Sequence, residues 1–179
     1  MKVLETALPG VLILEPHVYG DARGFFLESY QQERYREIGI DLPFVQDNHS
    51  RSGRGVLRGL HFQRSRPQGK LVRASRGAVF DVTLDINPSS PTYGQHVAVL
   101  LSDENHRQVW IPPGYAHGFC VVSEIADFEY KCTERYYPDD EGGVRWDDPD
   151  LAIAWPLANP LLSTKDQQHP QLSDLWARD

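Results

Sequence analysis

The sequence predicts an all-β domain, a jelly roll or β-sandwich with a few short peripheral helices. Beyond Pro43 the chain breaks into short strand-like runs at close spacing, separated by Gly, Pro, Asn and Ser. One run, Ala78 to Ile86, alternates with period two: Ala78, Phe80, Val82, Leu84 and Ile86 share one face, and Asp81, Thr83 and Asp85 the other. Helix-like patterning is confined to one segment in the first three quarters of the chain.

Taken in order, Val11 to Leu14 is an apolar, β-branched run between Pro9-Gly10 and Pro16, and reads as a first strand. Tyr19-Gly20-Asp21 then turns the chain into DARGFFLESY. Ser29 followed by Gln32 fits a capping box, so SYQQERYREIG is expected to form one short helix that stops at Gly39. After the alternating strand, NPSSPTYG is a turn-rich connector. Gln95 to Leu101, Arg107 to Ile111, Phe119 to Ser123 and Ile125 to Cys132 continue the strand series. Past Arg135, YYPDDEGGVRWDDPD is acidic and expected to be irregular, with AIAWP a short edge segment. A last short helix is expected from Pro170 onward, Pro being tolerated at an early helical position.

With 179 residues and 40% hydrophobic content, the chain can bury a sizeable core, and residues 1–179 are read as one domain. Its net charge of -7 argues against a nucleic-acid binder, which needs a basic face. Yet Arg51 to Arg76 holds seven Arg, one Lys and no acidic residue. Such a local reversal of sign suits an anionic ligand. The longest apolar runs, such as Val97 to Leu101, are far too short to span a membrane. The N-terminal MKVLETALPG lacks the apolar region of a signal peptide, so the cytoplasm is expected. Cys120 and Cys132 sit in apolar or aromatic surroundings and are expected to be buried, reduced thiols.

A single His in this basic stretch, His61 in VLRGLHFQ, is the natural candidate for acid/base chemistry. On a regular strand Arg58 and His61 would point to opposite faces. Gly59 could mark a bulge that turns one of them, or the two could serve different ends of a ligand or different subunits. The stretch IPPGYAHGF, ending its motif at His117, resembles the second motif of the cupins, a jelly-roll superfamily in which that His often binds metal. Here, however, Gln63 stands where the first motif would have its second His, and no Glu occurs before Asp81. A catalytic metal generally needs three protein ligands, so no metal is expected.

Seven blocks in order, DARGFFLESY, FVQDNHS, VLRGLHFQ, QGKLVR, PPGYAHGF, EYKCTERYYPDDEGG and LSTKD, closely resemble the dTDP-4-dehydrorhamnose 3,5-epimerases from about Val3 to Asp166. The resemblance implies a cupin-type fold, no cofactor, a homodimer, and a dTDP-linked 4-keto-6-deoxy sugar as substrate. It implies that His61 is the base, Asp166 its carboxylate partner, Tyr130 the acid on the opposite face, and Lys70 the cation near the sugar ketone. By the same likeness Arg23, Glu28, Gln46, Asp47, Asn48, Arg58, His117, Glu141 and Lys165 bind substrate, and Tyr136 stacks on thymine. Epimerisation beside a ketone does need a base, a proton donor across the ring and a group holding the enolate oxygen. A mono-epimerase or ketoisomerase on a related sugar, and a non-catalytic nucleotide-sugar-binding cupin, remain open alternatives.

Overall fold

The computed structural model describes residues 1–176. Four short strands open the chain, β1 (Lys2–Glu5), β2 (Leu12–Glu15), β3 (Val18–Asp21) and β4 (Gly24–Leu27), followed by helix α1 (Gln32–Glu37). Then come β5 (Gln46–Gly53), β6 (Leu57–Gln63), β7 (Lys70–Arg76), β8 (Ala78–Asp85) and β9 (His96–Ser102). The series closes with β10 (Gln108–Ile111), β11 (Tyr115–Val121), β12 (Ile125–Cys132) and β13 (Glu141–Gly143). A six-stranded sheet of order β1-β2-β10-β7-β12-β5 faces a five-stranded sheet of order β13-β6-β11-β8-β9, and β3-β4 form a separate hairpin. The result is an antiparallel β-sandwich of cupin type.

The main core draws on both sheets, with Val72, Val109 and Phe128 from one packing with Val79, Leu101 and Phe119 from the other. Each such side chain removed from water stabilises the fold by about 1.5–3 kcal/mol. A second cluster lies on the five-stranded sheet, where Leu60, Val82, Leu84 and Ala116 are covered by Leu151, Leu172, Leu175 and the flanking Trp155 and Trp176. A third seats Tyr35 of α1 on Leu14, Leu71 and Trp110 of the six-stranded sheet.

The alternation in β8 therefore holds, but neither face meets solvent. Phe80, Val82 and Leu84 face the C-terminal cover, while Asp81, Thr83 and Asp85 are buried on the other side. Buried carboxylates must be partnered. Asp85 accepts from the hydroxyls of Ser90 and Thr92, and Asp81 pairs with His117.

Helix α1 is shorter than expected and differently capped. Gln31, not Ser29, supplies the cap, its Oε1 accepting from the Arg34 amide at 2.7 Å. The carbonyl of Ser29 instead accepts from Gln108 Nε2 at 2.8 Å, which ties the helix entrance to the sheet. Gly39, at φ +90°, ends the helix where the sequence placed its stop. AIAWP forms no strand, because Ile153 and Trp155 pack on the second cluster instead. Beyond Pro170 the described residues make only a 3-10 turn, Leu172–Asp174, and a bend at 175–176, and residues 177–179 of the expected helix lie outside them.

Candidate active site

A cavity of about 400 Å³ opens between the two sheets. The five-stranded sheet supplies His61 and Arg58 from β6, His117 from β11 and Glu141 from β13, while Lys70 comes from β7 and Tyr130 from β12 of the opposite sheet. Gln46 and Asn48 of β5, with Tyr136, Lys165 and Asp166, complete the expected set that lines it.

The parity conflict between Arg58 and His61 is resolved by a bulge. In the pairing of β11 with β6, His117 stands opposite His61 and Phe119 opposite Arg58, so Gly59 and Leu60 together face the single residue Gly118. The extra residue returns Arg58 to the face that His61 occupies. Two glycines permit the close approach: a Cβ on Gly59 would lie 2.5 Å from Gly118 Cα, and Gly59 adopts φ +133°.

His61 Nε2 lies 2.6 Å from Asp166 Oδ1, across 105 positions of sequence. With that nitrogen committed, Nδ1 is the one left to act on a ligand. Asp166 is buried at the start of the 3-10 turn Asp166–Gln168. Burial opposes its charge, but the neighbouring His169 ring and the bonded His61 ring together hold its carboxyl well below the ordinary carboxylate range. It is therefore the ionised partner of the pair.

Across the cavity, burial pushes the Tyr130 hydroxyl up to about 12, so it remains a proton donor at neutral pH. Burial also pushes the Lys70 ammonium down, against the pull of Cys132, Glu141 and Asp81. Among the described residues Lys70 has no carboxylate within ion-pair distance, so its charge is available to an anion in the cavity.

His117 is held from behind. Its Nε2 lies 2.7 Å from Asp81 Oδ2, and its ring stacks on Phe128. Glu141 joins two further groups, accepting from the Tyr136 hydroxyl and from Lys165 Nζ. Burial raises the Glu141 carboxyl, but these two donors outweigh it and leave it lowered. The Tyr136 hydroxyl is pushed up to about 12, first by that same hydrogen bond. Its ring is about half exposed at the cavity mouth. Gln46 Oε1 accepts from the Tyr136 amide, and its Nε2 donates to Asn48. Arg58 touches Ser52 Oγ at 3.1 Å and carries no ion pair among the described residues.

Three expected binding residues do not reach this cavity. Asp47 falls on the other face of β5, where it pairs with Lys131 at 3.0 Å. Arg23, at the hairpin turn, is 89% exposed and paired only with Asp21, and Glu28 pairs with Arg34 at 2.8 Å. The basic stretch is likewise dispersed. Arg51 binds Asp127, Arg73 binds Glu129, Arg66 lies over Tyr137, and of its eight cations only Arg58 and Lys70 line the cavity.

Both amide protons of Gln63 are committed within the protein. Its Nε2 donates to the carbonyls of Arg66 and Arg135, and its Oε1 accepts from the Tyr137 amide, pinning the loops at the cavity rim. His169, which sequence reasoning missed, lies three residues after Asp166 in the same turn. His61, Asp166 and His169 together offer metal-ligand atoms within 4.8 Å of one another. Cys120 and Cys132 are buried free thiols.

Residues 5–174 match the family model described as dTDP-4-dehydrorhamnose 3,5-epimerase. The chain is 55% identical to the dTDP-4-dehydrorhamnose 3,5-epimerase of Pseudomonas aeruginosa, covering 97% of both chains. It is 57% identical to that of Salmonella typhimurium, covering 96% of both. It also superposes with TM-score 0.96 and 53% identity on the crystal structure of the Legionella pneumophila enzyme in complex with dTDP-4-keto-L-rhamnose, covering 98% of this chain and 95% of that one. With the cavity, its dyad and these likenesses taken together, the chain belongs to the dTDP-4-dehydrorhamnose 3,5-epimerase family.

Proposed function

We propose that the chain inverts C3 and C5 of dTDP-4-dehydro-6-deoxy-D-glucose, giving dTDP-4-dehydro-L-rhamnose, with His61 as base and Tyr130 as acid. The observation that carries this reading is that the His61 to Asp166 pair and Tyr130 line one cavity from opposite sheets. His61 Nδ1 takes the proton from the carbon beside the ketone, and the C–H electron pair moves into an enolate. The Lys70 ammonium stabilises the charge on the enolate oxygen. Tyr130 then delivers its proton to the opposite face of the carbon and becomes a tyrosinate. Exchange with solvent removes the proton from His61 and returns one to Tyr130 before the second carbon reacts. Asp166 keeps the ring oriented and stabilises the imidazolium it becomes. No cofactor is needed, because the ketone itself acidifies both carbons.

At the nucleotide end, Arg58 suits a diphosphate, since its forked guanidinium donors engage two oxygens at once, and the Lys165 ammonium adds a point charge. Exposed Tyr136 suits stacking on thymine. Gln46, Asn48, His117 and Glu141 supply the remaining polar contacts. Arg23 and Glu28 belong to a second copy's cavity in this reading, so the working unit is a homodimer. Its support is the β3-β4 hairpin, which pairs with neither sheet and exposes Tyr19, Phe25 and Phe26 beside Arg23. Asp47, paired with Lys131 on the other face of β5, has no part in this reading. The cytoplasm, where free thiols such as Cys120 and Cys132 persist, is the proposed compartment.

Incubation with dTDP-4-dehydro-6-deoxy-D-glucose in deuterated water tests the reading. Label at C3 and C5, lost in His61→Ala, is the expected result. Label at one carbon would make the chain a mono-epimerase, and label at neither would leave it a binding protein.

A further inference from the structure

No step of the mechanism above uses His169, although it is built into the site. Its ring packs edge-on against His61 with centroids 5.6 Å apart, and only 10% of its side chain is exposed. Its Nε2 lies 3.5 Å from the Asp166 oxygen that His61 engages at 2.6 Å, and it has no hydrogen-bond partner among the described residues. The backbone is shaped around this ring. Gly143 stands opposite His61 on β13, and a Cβ there would lie 2.3 Å from the His169 ring.

A buried ring nitrogen facing a buried carboxylate is costly unless the two interact. The other charged groups on this wall, Glu141 and Lys165, are paired with each other. His61 from β6 and His169 from the same turn are therefore the side chains that face Asp166 with donors to offer, while Ser163 Oγ accepts from its amide.

We infer that His169 is a positioning residue for the proposed reaction, the second donor to Asp166. It keeps the carboxylate ionised and fixed while the His61 ring gains and loses its proton. The inference rests on the role assigned to His61. It gives a reason for a glycine at 143, where any side chain would displace the ring.

The test compares His169→Phe, which keeps a ring but no donor, with His169→Gln, which keeps an N–H. The Phe variant is expected to lose about 10-fold to 100-fold in kcat with KM within about twofold, as outer partners of catalytic groups commonly do. The Gln variant recovers most of that loss. The acid limb of the kcat profile moves to higher pH in the Phe variant, because a carboxylate deprived of a donor holds its proton to higher pH. Proton NMR of the His61 N–H bonded to Asp166 follows the same change without turnover, its resonance shifting in the Phe variant and staying near the wild-type position in the Gln variant. In case Phe does not fold beside Gly143, His169→Ala supplied with free imidazole is expected to regain activity. Wild-type kcat and acid limb in the Phe variant, a Gln variant as slow as Phe, or no regain with imidazole would each overturn the inference. Failure of the parent reading looks different: wild-type protein would then show no His61-dependent deuterium uptake.

Discussion

Arg58 and His61, three positions apart on β6, present their side chains to the same cavity because two residues of β6 oppose the single Gly118 of β11. A regular strand would have sent one of them to the outer face, into the cluster of Leu60 and Val82. The diphosphate-binding and proton-abstracting functions proposed here thus meet through one backbone irregularity. Gly59 makes it sterically accessible. Gly59→Ala places a methyl group 2.5 Å from Gly118 Cα at φ +133°. We expect it to destabilise the fold by about 2–4 kcal/mol, measured by urea unfolding. Its kcat/KM should fall with the stability, because Arg58 and His61 lose their common face.

Asp166→Asn removes the charge but not the shape of the carboxylate bonded to His61. By analogy with other His–Asp pairs kcat should fall about 10⁴-fold with KM little changed. Stability gives an independent check. The folded-state pKa of Asp166 is depressed, so its contribution is complete above the unfolded carboxylate value of about 4 and is lost as pH falls below it. The unfolding free energy of the Asn variant should therefore vary less with pH below about pH 4 than that of the parent. Parallel curves for the two proteins would show that the hydrogen bond does not favour the ionised form.

Lys70 faces the cavity with its ammonium destabilised by burial. Lys70→Met keeps the length of the stem and removes the charge. We expect about a 10²-fold loss in kcat, the usual effect of deleting one donor to a developing oxyanion. The pH profile supplies the sign. The ammonium is the active form and its pKa is lowered, so parental activity should decline on the alkaline side below the ordinary lysine value of about 10.4. Tyr130, pushed up to about 12, stays protonated through that range. The Met variant should lack the limb altogether; a limb that persists would assign it to another group.

How much of this was legible beforehand differs by element. The strand series after Pro43 and the period of Ala78 to Ile86 were readable because side chains alternate on any strand. Which face would be covered was not. Parity defines two faces, but the cover on Phe80, Val82 and Leu84 comes from Trp155, Trp176 and Leu172, a long way along the chain. The basic stretch from Arg51 to Arg76 misled in one respect, since a count of charges ignores the partners. Asp127 and Glu129 neutralise Arg51 and Arg73 on the outer face of β12. The pairing of His61 with Asp166 came from family likeness alone, for nothing local links positions 105 apart. His169 carried no such likeness, and Gly143 gave no hint of the ring it accommodates.

Arg23 offers a test in which two impaired proteins repair each other. It is 89% exposed and does not line its own chain's cavity, and it lies next to the aromatic side chains of a hairpin that joins neither sheet. If it serves a second copy, Arg23→Ala should raise KM with the His61 chemistry intact in every chain. Mixed with His61→Ala protein under exchange conditions, half of the dimers become hybrids. Each hybrid then has one site combining a native His61 with a native Arg23 from the neighbour, and one site lacking both. About a quarter of parental activity at low substrate should return, against almost none if Arg23 acted within its own chain, where every hybrid site would carry one defect. Titrating the ratio of the two variants while recording kcat/KM distinguishes these outcomes.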